Sequence, residues 1–131
     1  MTARIALHQV ERPDGWVTVE APRLLVDAVY RCAQHSFVIV DCLSLWVSNL
    51  FLDGASDIES QAHDLQRALS MRVSPSVVVT NEVGFGIVPD NAMARAYRDI
   101  LGRVNAIVAA KAASAYLLVA GRTVTLEPPS V

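Results

Sequence analysis

The chain has 131 residues, 53% of them hydrophobic and 18% charged, a balance too apolar for a disordered segment and too often broken by charge for a membrane span. Eleven basic residues face thirteen acidic ones, and a net charge of -2 leaves no cationic excess to grip a nucleic-acid backbone or an anionic membrane. These bounds predict one soluble domain over residues 1–131 with a small-molecule partner, since chains of this size bury roughly two-thirds of the surface they expose when unfolded.

Met1 to His8 has helical spacing but no capping residue and no element before it, so it reads as the tail of something longer. Glu11-Arg12-Pro13-Asp14-Gly15 has the composition of a turn, and Trp16-Val17-Thr18-Val19 that of a short strand closed by Glu20. Pro22 suits a first helical turn, with Leu24, Leu25, Ala28, Val29 and Cys32 following at helical spacing. Phe37-Val38-Ile39-Val40 is a continuous apolar run ending in Asp41, the profile of a parallel strand buried on both faces. A helix is predicted over Leu43 to Phe51, and after the polar stretch Asp53 to Asp57 a second one carries Ile58, Ala62, Leu65 and Leu69 as its apolar stripe.

Ser76-Val77-Val78-Val79-Thr80 repeats the buried-strand profile and runs into Asn81-Glu82-Val83-Gly84-Phe85-Gly86, a loop with two glycines. A long helix is predicted over Ala92 to Ala113, with Met93, Tyr97, Ile100, Leu101, Val104 and Val108 on one face. Tyr116 to Ala120 is a third buried strand by the same reasoning, with Arg122 to Leu126 able to pair as a short last one before a frayed Pro128 to Val131 tail. Strands alternating with helices define an α/β layered fold, in which ligands bind beyond the carboxyl ends of the parallel strands, here at Asp41, at Asn81-Glu82 and at Gly121.

Asp41 sits where nucleotide-binding α/β proteins present a carboxylate to magnesium, although an aspartate there also suits the cap of the following helix. Glu82, beside Asn81 and ahead of glycines, could meet a ligand closely approached by backbone, or serve only as a polar turn residue. His8 is the candidate nucleophile, because a neutral imidazole can attack a nucleotide α-phosphate and hold the nucleotidyl group as a phosphoramidate; the alternative is a surface histidine. His35 and His63 have no supporting pattern, and no His/Cys/Asp spacing suggests zinc. Cys32 and Cys42 read as reduced cytoplasmic core residues, and Trp16 and Trp46 as core aromatics.

Arg4-Ile5 with His8, then Arg12-Pro13, Trp16 and Thr18-Val19-Glu20, resembles the guanylylation segment of the bifunctional adenosylcobinamide kinase/adenosylcobinamide-phosphate guanylyltransferase family of cobalamin biosynthesis. Val40 to Leu50 resembles its second block, Thr80-Asn81-Glu82-Val83-Gly84-Phe85-Gly86-Ile87-Val88-Pro89 its most distinctive one, and Tyr97 to Asn105 a fourth, so the likeness covers essentially the whole chain. The resemblance implies a P-loop NTPase-like (RecA-like) α/β fold, with a mostly parallel sheet and flanking helices. It implies that His8 takes up GMP from GTP, that Gln9, Val10, Glu11, Arg12, Glu20 and Asp41 lie around the nucleotide, and that Asp41 helps hold Mg2+. ATP or GTP would serve the kinase step on adenosylcobinamide, and the assembly would be a homo-oligomer, a trimer by family habit.

Two departures qualify the likeness. Gln9 stands where the family usually carries arginine, which removes one cationic contact to the phosphates. No Gly-x-x-x-x-Gly-Lys-[ST] string occurs, so the family's first strand and phosphate loop are missing, through an overlooked upstream start or because the chain is a fragment. The expectation is that the intact gene product carries out both reactions and that this chain as it stands does neither well, and the rivals are a non-catalytic nucleotide-binding or assembly module and a cobinamide-independent nucleotide kinase on the same scaffold.

Overall fold

Two parallel strands, β1 (Val38–Asp41) and β2 (Ser76–Val79), pair with Val38 opposite Ser76 and Asp41 opposite Val79. The structure, a computed structural model, describes residues 14–128, so the expected helical spacing of Met1 to His8, the start of the Glu11 to Gly15 turn and the end of the Pro128 to Val131 tail lie outside it. Around this pair stand α1 (Leu25–Arg31), α2 (Leu43–Leu52), α3 (Ile58–Ser70) and α4 (Ala92–Ala109). A hairpin, β3 (Ala115–Val119) and β4 (Arg122–Leu126), forms a separate two-stranded antiparallel sheet.

The helices over 43–52 and 58–70 fall where the apolar stripes place them, whereas α1 begins only at Leu25, past Pro22, and leaves Leu24 of its expected stripe exposed. Ile58, Ala62 and Leu65 are buried as expected, joined by Ala68, while Leu69 is half-buried at the edge of the stripe. Ile100, Leu101 and Val104 of α4 are buried against them, and Leu43, Trp46, Val47 and Leu50 supply the α2 side. Leu43, Val47, Leu65, Leu101 and Val104 are fully enclosed, and each such aliphatic side chain contributes about 1.5–3 kcal/mol relative to leaving it in water.

Polar contacts fix how the helices meet. Gln66 Nε2 of α3 donates to the Ile107 carbonyl of α4 at 2.6 Å, and Arg103 Nε of α4 donates to Glu59 Oε1 of α3 at 2.7 Å. Asn91 caps α4, its Oδ1 accepting from the N–H groups of Met93 at 2.8 Å and Ala94 at 3.1 Å, which answers donors that a helix start leaves without partners. Past α1, the Arg72 guanidinium donates to the carbonyls of Val29, Cys32, Ala33 and Ser36, so one side chain from beyond α3 holds the helix end and the turn into β1.

Beyond the late start of α1, four expectations are corrected. Residues Trp16 to Glu20 form no strand, and Trp16 is exposed, meeting the Phe37 ring edge-on at 6.4 Å between centroids; the aromatic finds a surface partner rather than the core. Neither β1 nor β2 is buried on both faces: Val40 is buried and Val38 and Val78 are half-buried beneath the helices, while Ile39, Val77 and Val79 on the opposite face are about 45% exposed. The helices that cover the pair do so from one side among the described residues. Third, α4 stops at Ala109, short of Ala113, and Met93 of its expected apolar face is exposed. Fourth, β3 does not join β1 and β2 and is not buried, because the chain reverses at Ala120-Gly121 and pairs it with β4 instead, leaving Tyr116, Leu118 and Val119 exposed. The predicted pairing of Arg122 to Leu126 holds.

Candidate functional site

Parallel pairing brings two of the expected strand ends together. Asp41 closes β1 opposite Val79, and Thr80, Asn81 and Glu82 follow directly, so the candidate carboxylates of both strands leave the same end of the sheet. Alternation along the strand puts Asp41 on the uncovered face with Ile39, and its side chain is exposed. Among the described residues it makes no hydrogen bond or ion pair with another side chain. The peptide bond between Asp41 and Cys42 is cis.

The two strand ends are tied by side chains from α2 and α4. Ser44 is buried at the start of α2, and its Oγ accepts from Asn81 Nδ2 at 2.7 Å and lies 3.2 Å from Cys42 Sγ. Tyr97 of α4 donates its hydroxyl to the Ser44 carbonyl at 2.9 Å, and its ring meets Phe51 edge-on. Asn105, two turns further along α4, accepts from Thr80 Oγ1 at 2.8 Å and donates Nδ2 to the Asn81 carbonyl at 3.1 Å. Burial pushes the Tyr97 phenol above its ordinary value, with the neighbouring Cys42 adding to the shift.

Glu82 turns back on its own loop, where one carboxylate oxygen accepts from the Gly84 N–H at 2.8 Å. A side chain at position 84 would place its Cβ 2.8 Å from that oxygen, so glycine permits the approach. Arg95, from the first turn of α4, donates to the carbonyls of Pro89 at 2.7 Å and Asp90 at 2.6 Å and closes the far end of the loop.

Glu20 is exposed on the irregular stretch that precedes α1. It lies between Trp16, whose ring meets Phe37 just before β1, and Pro22, whose carbonyl accepts from Asn49 Nδ2 at 2.9 Å. Asn49 stands about 9 Å along α2 from Leu43 at roughly 1.5 Å per residue. Trp46 Nε1 donates to the Arg23 carbonyl at 2.9 Å, and the Arg23 guanidinium grips Asp53 through both carboxylate oxygens. That hydrogen bond holds the Asp53 carboxyl below its ordinary value and raises Arg23 further. His8, Gln9, Val10, Glu11 and Arg12 lie outside the described residues.

A groove of about 750 Å³ runs between the α2–α3 connection and α4, lined by Phe51, Ile58, Glu59, Ile100 and Arg103 among others. None of the described candidates, Glu20, Asp41, Asn81 and Glu82, borders it. Among the described residues no three His, Cys, Asp or Glu side chains cluster as metal ligands, and no helix is long and apolar enough to cross a membrane. The exposed Asp41 carboxylate is the kind of ligand that magnesium takes, an ion commonly bound through one or two carboxylates with water and substrate phosphates completing its shell.

Sequence reasoning passed over Ser44, Thr80, Tyr97 and Asn105 as individual site residues. A usable signal was present for Ser44, which interrupts the apolar run Leu43 to Val47.

Residues 1–126 match the CobU family, described as cobinamide kinase / cobinamide phosphate guanyltransferase. The bifunctional adenosylcobalamin biosynthesis protein CobU of Escherichia coli (strain K12) is 34% identical, over 97% of this chain and 78% of that protein. Its namesake from Salmonella typhimurium is 36% identical over the same shares, and the bifunctional adenosylcobalamin biosynthesis protein CobP of Pseudomonas aeruginosa is 32% identical over 97% of this chain and 75% of its own length.

Proposed function

The chain belongs to the cobinamide kinase / cobinamide phosphate guanyltransferase family of cobalamin biosynthesis, and from that premise we propose that it transfers GMP from GTP to adenosylcobinamide phosphate through a guanylylated His8. The observation that carries the reading is the meeting of Asp41 and the Thr80-Asn81-Glu82 segment at one end of a parallel pair, where this architecture binds nucleotides.

His8 attacks the α-phosphorus of GTP; a nitrogen–phosphorus bond forms, the bond from that phosphorus to the bridging oxygen breaks, and pyrophosphate leaves. A phosphate oxygen of adenosylcobinamide phosphate then attacks the same phosphorus, the nitrogen–phosphorus bond breaks, and adenosylcobinamide-GDP is released with His8 restored. Gln9, Val10, Glu11, Arg12 and Glu20 line the nucleotide, and Asn81 and Glu82 border it from the β2 end. Asp41 holds Mg2+, which when bound offsets charge on the phosphates.

The companion reaction moves the γ-phosphoryl group of ATP or GTP to the hydroxyl of adenosylcobinamide, within a RecA-like P-loop architecture. No Gly-x-x-x-x-Gly-Lys-[ST] string occurs in the 131 residues, so guanylyl transfer is the step to test on this chain. Residues 1–131 act as one domain of a cytoplasmic homo-oligomer in this reading.

Intact-protein mass spectrometry after incubation with GTP and magnesium tests it. The expected result is a GMP-sized, acid-labile adduct that His8→Ala abolishes. Nucleotide binding with no adduct would point to a non-catalytic binding module, and an adduct that survives His8→Ala would move the nucleophile elsewhere.

A further inference from the structure

Asn105 is remote in sequence from every residue assigned to the site, yet its carboxamide holds two consecutive residues at the end of β2. Its oxygen accepts from the Thr80 hydroxyl at 2.8 Å and its nitrogen donates to the Asn81 carbonyl at 3.1 Å. Both polar ends of one side chain are thus used on adjacent residues, which fixes the direction in which the chain leaves the strand. Asn81 then reaches the other way, donating to Ser44 Oγ at 2.7 Å, and Ser44 follows Asp41 by three residues. Tyr97, two helical turns before Asn105, holds the Ser44 carbonyl from the same helix.

One helix therefore grips the exit of β2 through Asn105 and the exit of β1 through Tyr97, and Asn81 closes the circuit between them. Such a circuit has a consequence that packing alone does not: it sets where Glu82 stands relative to Asp41. Resting on the nucleotide-site reading above, we propose that Asn105 is a positioning residue of this site, acting through Thr80 and Asn81 to hold the Glu82 loop in register with Asp41.

Thr80 supplies the discriminating variants. Thr80→Ser keeps the hydroxyl that Asn105 accepts from, whereas Thr80→Val keeps the shape and removes it. Groups that orient a site from behind typically cost about 10–100-fold when lost, and a displacement of about 1 Å can cost about 100-fold in rate.

The test compares the full chain with Asn105→Ala, Thr80→Val and Thr80→Ser, reading guanylylation with GTP and backbone amide exchange over residues 80–84. The expected result for Asn105→Ala and Thr80→Val is roughly 10-fold or greater loss in the guanylylation rate at saturating GTP, with half-saturation by GTP changed much less, and exchange at the Gly84 amide faster by a similar factor. Thr80→Ser should behave as the parent. Thermal midpoints close to the parent's separate this from general loosening of the fold.

Unchanged exchange at residues 80–84 overturns the proposal, as does faster exchange with rate and affinity both intact. Equal losses in Thr80→Ser and Thr80→Val also overturn it, because the shared hydroxyl would then be irrelevant. A parent chain that takes no GMP refutes the catalytic reading instead. The second readout is then affinity for magnesium-GTP, and an Asn105→Ala chain indistinguishable from the parent in that assay counts against positioning.

Discussion

Two apolar strands of similar composition meet opposite fates in this molecule. β1 is bonded to a strand more than thirty residues away and lies beneath helices, while β3 is bonded to the strand that immediately follows it and keeps most of its side chains in solvent. Leu118 of β3 is 71% exposed, whereas Leu101 and Leu65 in the helical layer have no accessible surface. An apolar run thus states that a strand is favourable; what lies next to it depends on the turn that follows and on which helices reach it. The candidate site lies at the end of the helix-covered pair, and the hairpin belongs to a separate sheet.

The largest expected effect tests that contrast directly. Leu101→Ala should destabilise the fold by about 2–5 kcal/mol, since it deletes a fully enclosed side chain and leaves a cavity among helices that cannot all collapse inward. Leu118→Ala should stay within about 0.5 kcal/mol, as an exposed substitution away from special features. Urea denaturation followed by circular dichroism measures both. Comparable losses would mean that the hairpin carries far more of the stability than its exposure indicates.

A smaller effect probes the join between the strand ends. Tyr97→Phe removes the hydroxyl donated to the Ser44 carbonyl and should cost about 1 kcal/mol, the usual net worth of such a bond. The same phenol gives a pH signature. Because burial raises its folded-state value, its contribution is fully present below the unfolded value near 10 and is lost as pH rises through the folded value. Stability of the parent should therefore fall more steeply than that of Tyr97→Phe as pH is raised above 10, and parallel curves would remove Tyr97 from the account. Asp53 behaves oppositely: its lowered value makes its pairing with Arg23 present above the ordinary carboxylate range and lost on acidification.

How much of this could be read beforehand follows from what sequence periodicity records. The helix over Leu43 to Phe51 is observed over Leu43–Leu52, and the Ile58, Ala62, Leu65 stripe faces the core, because both depend on local spacing. Asp41 and Asn81-Glu82 were legible as strand ends, and the parallel pairing that joins them follows from the helical connection between the strands. Trp16 to Val19 has strand-like residues but no strand, since pairing needs an available neighbour that composition does not reveal. Thr80 and Asn105, twenty-five positions apart, meet only through the packing of α4, and no local pattern announces that. The family likeness carried the chemistry assigned to His8, which no spacing in the chain could have supplied.

The hairpin turn offers the finest test of whether the two regions fold as one. Ala120 and Gly121 form a two-residue connection with φ of 51° and 73°. Positive φ at both positions belongs to the type I′ turn, whose hand suits the twist of antiparallel strands and which favours Asn-Gly. Gly121 meets that demand without a side chain, but Ala120 pays for its Cβ in a region that L residues seldom occupy. Ala120→Asn should therefore stabilise the hairpin by less than about 1 kcal/mol, the scale of turn-compatible substitutions. Amide exchange reads the effect strand by strand. If the hairpin opens on its own, protection rises across Ala115 to Leu126 while the urea midpoint of the helical layer stays fixed. If the midpoint rises with it, the exposed hairpin is coupled to the core after all, and the contrast between the two regions is one of exposure without being one of cooperativity.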